Sequence, residues 1–343
     1  MRDVGQVVIG CPDMLRLLRR VFSSEYVVLL LTAIYVLGMW PIVPQIVSIG
    51  TLVDVLIAMM PLLVLAIGQT FVVLIAGIDL SIASTAAIGS VVASSLMTGD
   101  GGLFAGSAFA VPAGIATFLI VGVSVGTLNG FCVARLGMPS FIVTLVSQMF
   151  LSGLAVWFTS IVSTSVSIGN LPLAFTVIGR GGVAGVPYAF LLCAAVALGA
   201  HWVLRFTLLG KWLYAVGTNP QAARVSGVPV SRVVWLAFIL SSFCAAVAAI
   251  IYTGRLETGT PNLGQRVFLD VIGAVVIGGV SLFGGKGKIT WVIFGVLFLS
   301  VIDKGLQLLG VSLFVVFAVK GGVILAAAVL DALRNRLLVG GVR

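Results

Sequence analysis

Apolar runs long enough to cross a bilayer follow one another along most of this 343-residue chain, and they leave few ways for it to fold. A helical span needs about 20 apolar residues to cross roughly 30 Å of hydrocarbon, and a backbone in lipid must satisfy its hydrogen bonds internally. The runs are continuous and do not alternate, which argues for helices and against a spanning β-barrel. Hydrophobic residues make up 60% of the chain and charged ones 8%, far from the quarter or so of charge in soluble domains. The expected fold is an all-α polytopic membrane protein of about ten transmembrane helices, with broken helices and a short cytoplasmic helix.

Ten spans can be laid along the chain. They cover about 26–46, 52–75, 82–97, 109–133, 138–158, 187–204, 233–252, a span leading to Phe283, 289–309 and 313–333. Residues 1–25, with Arg2, Arg16, Arg19 and Arg20, read as a cytoplasmic surface segment, and 334–343, with Arg334, Arg336 and Arg343, as a cytoplasmic tail. Of the 19 basic residues, only Arg180, Arg255, Arg266 and Lys304 face outside on this layout, and Lys320 lies within a span. The net charge of +9 is thus explained by Lys- and Arg-rich cytoplasmic loops and does not call for nucleic acid. No Lys or Arg occurs between Arg20 and Arg135, so the paths of spans two to four rest on hydrophobicity alone. Pro61 and Gly68 mark span two as kinked and interior, because neighbours must satisfy the backbone groups such residues free.

One polar stretch, residues 207–232, interrupts the apolar pattern. Asn219 before Pro220 is an N-cap followed by the residue type suited to the first helical position. Gly227 and then Pro229 supply a left-handed terminator and a stop. A short cationic helix should therefore lie outside the membrane core between Pro220 and Gly227, exposed as a docking surface.

Ionisable residues in or near spans are costly and are candidates for function. Asp54, Asp79, Asp270, Asp303 and Lys320 qualify, with Asp54 and Asp303 near the outer interface. Asp79 differs from the rest because it lies in a Gly-flanked helix break, where free amides can hold a carboxylate, in a structural or gating role. Asp303 and Lys304 are adjacent and do not share a helix face, so they read as separate polar positions. An internal echo aligns residues 73–81 with 275–283 at an offset of 202, placing Asp79 opposite Ser281. Transporters are often built from such repeats.

Other chemistry lacks its residues. The phosphate-loop pattern fails, since Gly285 occupies the Lys position after Gly279 and Gly284, so any ATP hydrolysis belongs to another protein. His201 is the single histidine, which leaves no histidine-based metal cluster and no catalytic constellation. Cys11, Cys132, Cys193 and Cys244 are scattered and read as packing residues. Residues 8–11 look like a lipoprotein box but follow too short an apolar run to be one.

Residues 77–81 (Gly-Ile-Asp-Leu-Ser), 139–145, 214–227, 270–279 and 319–321 together resemble the ribose-type permease family of ABC importers. The resemblance implies a bacterial inner-membrane permease with both termini cytoplasmic. It would pair with a second permease protomer, an ABC ATPase subunit that holds ATP and Mg, and an external solute-binding protein, with membrane lipid around it and no cofactor of its own. It also implies ATPase coupling through Asn219, Pro220, Gln221, Ala222, Ala223, Arg224 and Gly227, with Gln221 where the family's coupling loop usually has an acid. The two alanines would allow close approach to the ATPase. Gly77, Asp79, Ser81, Asp270, Gly279, Ser281, Asp303, Lys304 and Lys320 are the candidate gate and pathway residues. Family solutes are mainly pentoses, hexoses, inositol and related polyols. A branched-chain amino-acid permease, an ion-coupled carrier using Asp79 and Lys320, and a membrane enzyme are the alternatives.

Overall fold

The structure, a computed structural model, describes residues 26–264 and 267–339, the side chains of 330–339 excepted. The expected N-terminal surface segment, Cys11, Arg266 and Arg343 lie outside the described residues, as do the side chains of Arg334 and Arg336.

Thirteen helices are present among the described residues: α1 (Val27–Met39), α2 (Ile49–Leu74), α3 (Ile82–Met97), α4 (Ala110–Ala134), α5 (Ser140–Val162), α6 (Leu173–Arg180), α7 (Tyr188–Phe206), α8 (Leu208–Thr218), α9 (Pro220–Val225), α10 (Val230–Leu256), α11 (Phe268–Ile277), α12 (Ile289–Leu308) and α13 (Leu313–Val339). A 3-10 turn (Pro44–Val47) and a two-stranded hairpin, β1 (Gly182–Val183) with β2 (Val186–Pro187), complete them. The chain is a predominantly helical, all-α-class polytopic membrane protein. Among the described residues six helices, α2, α4, α5, α7, α10 and α12, are long and apolar enough to span.

The ten-span layout needs correction at span eight. Helix α11 has 10 residues, about 15 Å at the α-helical rise, which is half the hydrocarbon thickness. It ends in a non-helical segment that returns to α12 at Ile289. The segment 159–186, between the fifth and sixth expected spans, also carries structure of its own. Helix α6 lies within it, with Phe175 fully buried and stacked on Phe118 at 5.9 Å between centroids.

Helices α2 and α10 form the centre, buried along most of their lengths. Helix α4 seats against α10 through Gly122, Gly126 and Gly130, four residues apart on one face. A Cβ on Gly122 would stand 2.6 Å from the Ser242 carbonyl, and one on Gly126 2.7 Å from that of Phe238. Small residues at this spacing let the backbones approach where lipid offers no hydrophobic driving force.

Pro61 sits inside α2 and lacks the N–H that would bond the carbonyl of Ile57. Arg255, at the end of α10, fills the gap: its Nη1 donates to the Ile57 oxygen at 3.1 Å. The expectation that a neighbour satisfies the proline's orphan is met by an arginine 198 positions away. Arg180 Nη1 also pairs with Glu257 at 2.7 Å, and its Nε donates to the Arg255 carbonyl at 2.9 Å.

Candidate functional site

The helix punctuation of the polar stretch is realised in detail. Asn219 Oδ1 accepts from the amides of Gln221 and Ala222, both at 3.0 Å, and α9 starts at Pro220. Gly227 adopts φ +82°, the left-handed conformation, with open space around its Cα, and Val228 N donates to the Ala223 carbonyl at 3.0 Å. Gln221, Ala222 and Arg224 are exposed. Ala223 is not: at 5% exposure it packs into the protein's own core, so a close approach from outside falls to Ala222 alone.

Helix α8 holds α9 against the bundle. Thr207 caps its start by accepting from Gly210 N at 3.2 Å. At its far end Gly217 lies between the carbonyl of Leu74, the last residue of α2, and the amide of Gly285; a Cβ there would collide with both. Those two groups bond each other at 2.9 Å. Tyr214 Oη donates to the Gly287 carbonyl at 2.7 Å. The polar stretch thus touches the end of α2, where the break 75–81 begins, and the second broken segment, 278–288.

The two breaks are built alike. Gly77 N donates to the Val72 carbonyl at 3.0 Å with Ala76 at φ +59°, and Val280 N donates to the Val275 carbonyl at 3.1 Å with Gly279 at φ +97°. After each helix end a side chain folds onto the amide two residues on. Asp79 Oδ1 accepts from Ser81 N at 3.0 Å, and Ser281 Oγ from Phe283 N at 3.3 Å. The side-chain turns keep the offset of 202, while the second helix runs one residue further before ending.

Asp79 is fully buried. Besides the Ser81 amide, its carboxylate accepts from Ser81 Oγ at 2.6 Å and Ser241 Oγ at 2.8 Å. Asn129 Nδ2 donates to Ser81 Oγ at 2.8 Å and is oriented by Ser147, whose hydroxyl donates to Asn129 Oδ1 at 2.6 Å. The Gln69 amide faces the backbone of Asp79, and with its nitrogen turned to the Asp79 carbonyl it donates there at 2.9 Å and accepts from the Asp79 amide at 3.2 Å. Ser140 Oγ accepts from Ile78 N at 3.3 Å, and Thr144 Oγ1 donates to the Ile78 carbonyl at 3.1 Å. Helices α2, α4, α5 and α10 therefore all hold one non-helical turn. Among the described residues no basic side chain lies within ion-pair distance of Asp79. The arrangement fits a clamp on the break. Gln69, Asn129, Ser147 and Ser241 escaped the sequence reading; their only signal was a polar side chain inside an apolar run.

The remaining pathway candidates lie at the opposite end of the bundle. Lys320 Nζ bonds Asp270 Oδ2 at 2.6 Å and stands 3.4 Å from Asp303 Oδ1, tying α13 to α11 and α12. The Lys320 and Asp270 side chains are 8% and 16% exposed, that of Asp303 36%. Gln307 Nε2 donates to Asp303 Oδ2 at 3.0 Å. Lys304 turns to another helix and pairs with Asp54 at 2.8 Å, with Asp54 62% exposed. Asp303 and Lys304 are separate positions, as their adjacency implied, but each is in an ion pair with a distant partner. The nine candidates fall into two sets: Gly77, Asp79, Ser81, Gly279 and Ser281 at the breaks, and Asp270, Asp303, Lys304 and Lys320 at the far end.

Comparison with known proteins agrees with this architecture. A family model described as the permease component of a branched-chain amino acid transport system matches residues 51–328. The ribose import permease protein RbsC of Haemophilus influenzae is 32% identical over 288 residues, covering 84% of this chain and 87% of that protein. RbsC of Escherichia coli K12 is 36% identical over 268 residues, with 78% and 81% covered. The D-allose transport system permease protein AlsC of the same organism is 32% identical over 279 residues, with 79% and 80% covered. No solved structure matches the chain. With most of its length matched by the family model and by ribose-type relatives, the chain belongs to the branched-chain amino acid transport system permease family, among its sugar-permease-like members.

Proposed function

We propose that this chain is the membrane-spanning permease subunit of an ATP-driven importer for a monosaccharide or sugar-like solute, working by alternating access. Its relatives are import permeases for ribose and transport permeases for D-allose and L-arabinose, and that similarity supports the solute class. The observation that carries the mechanism is the seating of α8 between the two broken segments, with Gly217 against Leu74 and Gly285. ATP and Mg are held and consumed by a separate ATPase subunit, which docks on the exposed side of α9. A second permease protomer completes the pathway, and an external solute-binding protein delivers the solute. The subunit sits in a bacterial inner membrane with both termini and α9 in the cytoplasm.

Motion of α9 reaches the spans through short, stiff contacts. Displacing α8 moves Gly217 against the last carbonyl of α2 and against the segment leading into α12. At each break the helix-end carbonyls are bonded by turn and loop amides and the turn is held by side-chain bonds, a few contacts that can rearrange at lower cost than a continuous helix.

The test is uptake in vesicles carrying this permease with its ATPase and binding protein. Labelled ribose, allose and arabinose should enter only with ATP, and inactivating the ATPase should abolish entry. Uptake of leucine in preference to every sugar would move the chain to the amino-acid branch. Replacing Gly227 with Val, or reversing charge with Arg224→Glu, should weaken co-purification of the ATPase while membrane insertion persists. Undiminished co-purification and transport would sink the assigned docking surface.

A further inference from the structure

Helix α13 lies on the edge of the bundle and meets it along one stripe. Among its described side chains only Val316 and Lys320, four residues apart, are buried, while Phe314, Phe317 and Leu325 around them are exposed. Helix α11, by contrast, is fixed to α12 backbone to backbone. A Cβ on Gly278 would collide with the Trp291 carbonyl, and one on Gly295 with that of Ala274. Towards α13 the same helix presents Gly273, and what covers it is the side chain of Ile324, which can turn aside. Helix α12 is tied in turn to α1, where Tyr35 Oη donates to the Ile302 carbonyl at 3.3 Å, and to α2 through Lys304 and Asp54. Helices α11 and α12 thus move as one body, and α13 is the element free to shift against them.

Lys320 joins the two bodies. Asp270, in the first turn of α11, and Asp303, near the end of α12, both stand on the first body, and the Lys320 ammonium lies 2.6 Å from one and 3.4 Å from the other. An ammonium on a flexible four-carbon stem has three donors and can turn between two acceptors. Gln307 holds Asp303 Oδ2 and leaves Oδ1 to meet it. A shift of α13 away from α11 and towards α12 exchanges the close partner for the distant one. The ammonium keeps a carboxylate throughout, so the exchange avoids the cost of a buried unpaired charge. Packed interfaces move between such discrete arrangements and do not deform continuously. The first body also contains the second broken segment, which leads from α11 into α12 and bonds Leu74 through Gly285. Displacement of α8 at Gly217 therefore reaches Asp270 and Asp303 along two helices.

We propose that Lys320 is a two-position latch, close on Asp270 in one nucleotide state of the ATPase and close on Asp303 in the other, and that the accompanying shift of α13 gates the far end of the pathway. The latch presupposes the ATP-driven importer proposed above. Asp270 and Asp303 are its positioning residues, one for each state.

The test locks α13 to α11 in the full-length permease, reconstituted in vesicles with its ATPase and binding protein. Gly273→Cys with Ile324→Cys places two thiols where the two helices touch, within reach of a disulfide. Oxidation should abolish ribose uptake and slow ATP hydrolysis, a reductant should restore both, and the single variants should be indifferent to the oxidant. Asp303→Asn leaves the Asp270 pair intact and removes the second position. It should lower uptake roughly tenfold, the change in rate that loss of one charge-assisted hydrogen bond brings, at an unchanged thermal midpoint. Asp303→Glu keeps the acceptor charge and should restore uptake. Undiminished uptake in the cross-linked protein overturns the latch. So does an Asp303→Asn protein that melts earlier but transports normally, because that is the behaviour of a merely structural ion pair. A complex whose ATP hydrolysis slows reversibly on cross-linking while no sugar enters in either state keeps the latch and sinks the solute assignment.

Discussion

The amide of Gly285 donates to the carbonyl of Leu74 at 2.9 Å, and through this bond the two broken segments act as one joint. Leu74 is the last residue of α2, and its carbonyl is one of those a helix cannot bond internally. The second break supplies the donor that the end of the first helix lacks. Gly217 covers the pair so closely that no side chain fits.

Replacing Gly217 with Val therefore forces apart two backbone segments that cannot yield as a flexible side chain would. Overpacking of this kind costs about 1–3 kcal/mol. Solute uptake should fall at least tenfold while ATPase co-purification is kept, because α9 and its cap are untouched. Vesicle uptake alongside co-purification checks this, and parallel loss of both would show a general folding defect instead.

Removing the Asp79 carboxylate leaves Ser81, Ser241 and the Ser81 amide without their acceptor in a fully buried turn. Buried polar groups left without a partner cost about 1–3 kcal/mol each, and Asp79→Ala should lower the thermal midpoint in detergent markedly. Asp79→Asn keeps the shape and one acceptor oxygen and should fall between Ala and the parent. If Asp79 instead carried a coupling ion, Asn would leave stability intact and abolish uptake.

Lys320 pairs with two carboxylates at the far end of the bundle, Asp270 closely and Asp303 at longer range. Breaking a buried pair by removing one partner costs about 3–5 kcal/mol, and Lys320→Met should destabilise the protein by an amount near that range. Adding Asp270→Leu removes the stranded charge and should restore most of the loss. Lys304→Met, which opens the exposed pair with Asp54, should leave the melting midpoint within error. Thermal unfolding of the four proteins provides the comparison.

Arg255 and Pro61 are coupled through the Ile57 carbonyl. Arg255→Met in the parent strands that oxygen, at a cost of about 1–3 kcal/mol. In a Pro61→Ala background residue 61 regains its own N–H, and the same Arg255 substitution should cost measurably less. A double-mutant cycle on thermal stability measures the difference, and equal costs in both backgrounds would mean that Arg255 does not act through the Ile57 carbonyl.

Much of the architecture is encoded locally. Hydropathy assigns the chain to the membrane because burial in lipid is a property of each run by itself. Asn219, Pro220 and Gly227 delimit α9 because capping and left-handed φ depend on a few consecutive residues. The turns at Asp79 and Ser281 are likewise local, each closed onto an amide two residues away, which is why an echo in sequence has a counterpart in space.

Other features depend on residues far apart in the chain, and only the tertiary structure decides them. The helix before Phe283 ends locally at Gly279, but where the segment beyond it lies is decided by distant residues, since Gly285 bonds Leu74 and packs against Gly217. Ala222 and Ala223 are the same residue type, and only their angular positions on α9 make one exposed and the other core. Lys320 meets Asp270 across 50 positions and Lys304 meets Asp54 across 250. In a sequence each is an isolated charge at a cost in lipid. The folded bundle offsets that cost by bringing opposite charges together, and it thereby separates a neutral-lined joint at one end from an ion-paired cluster at the other.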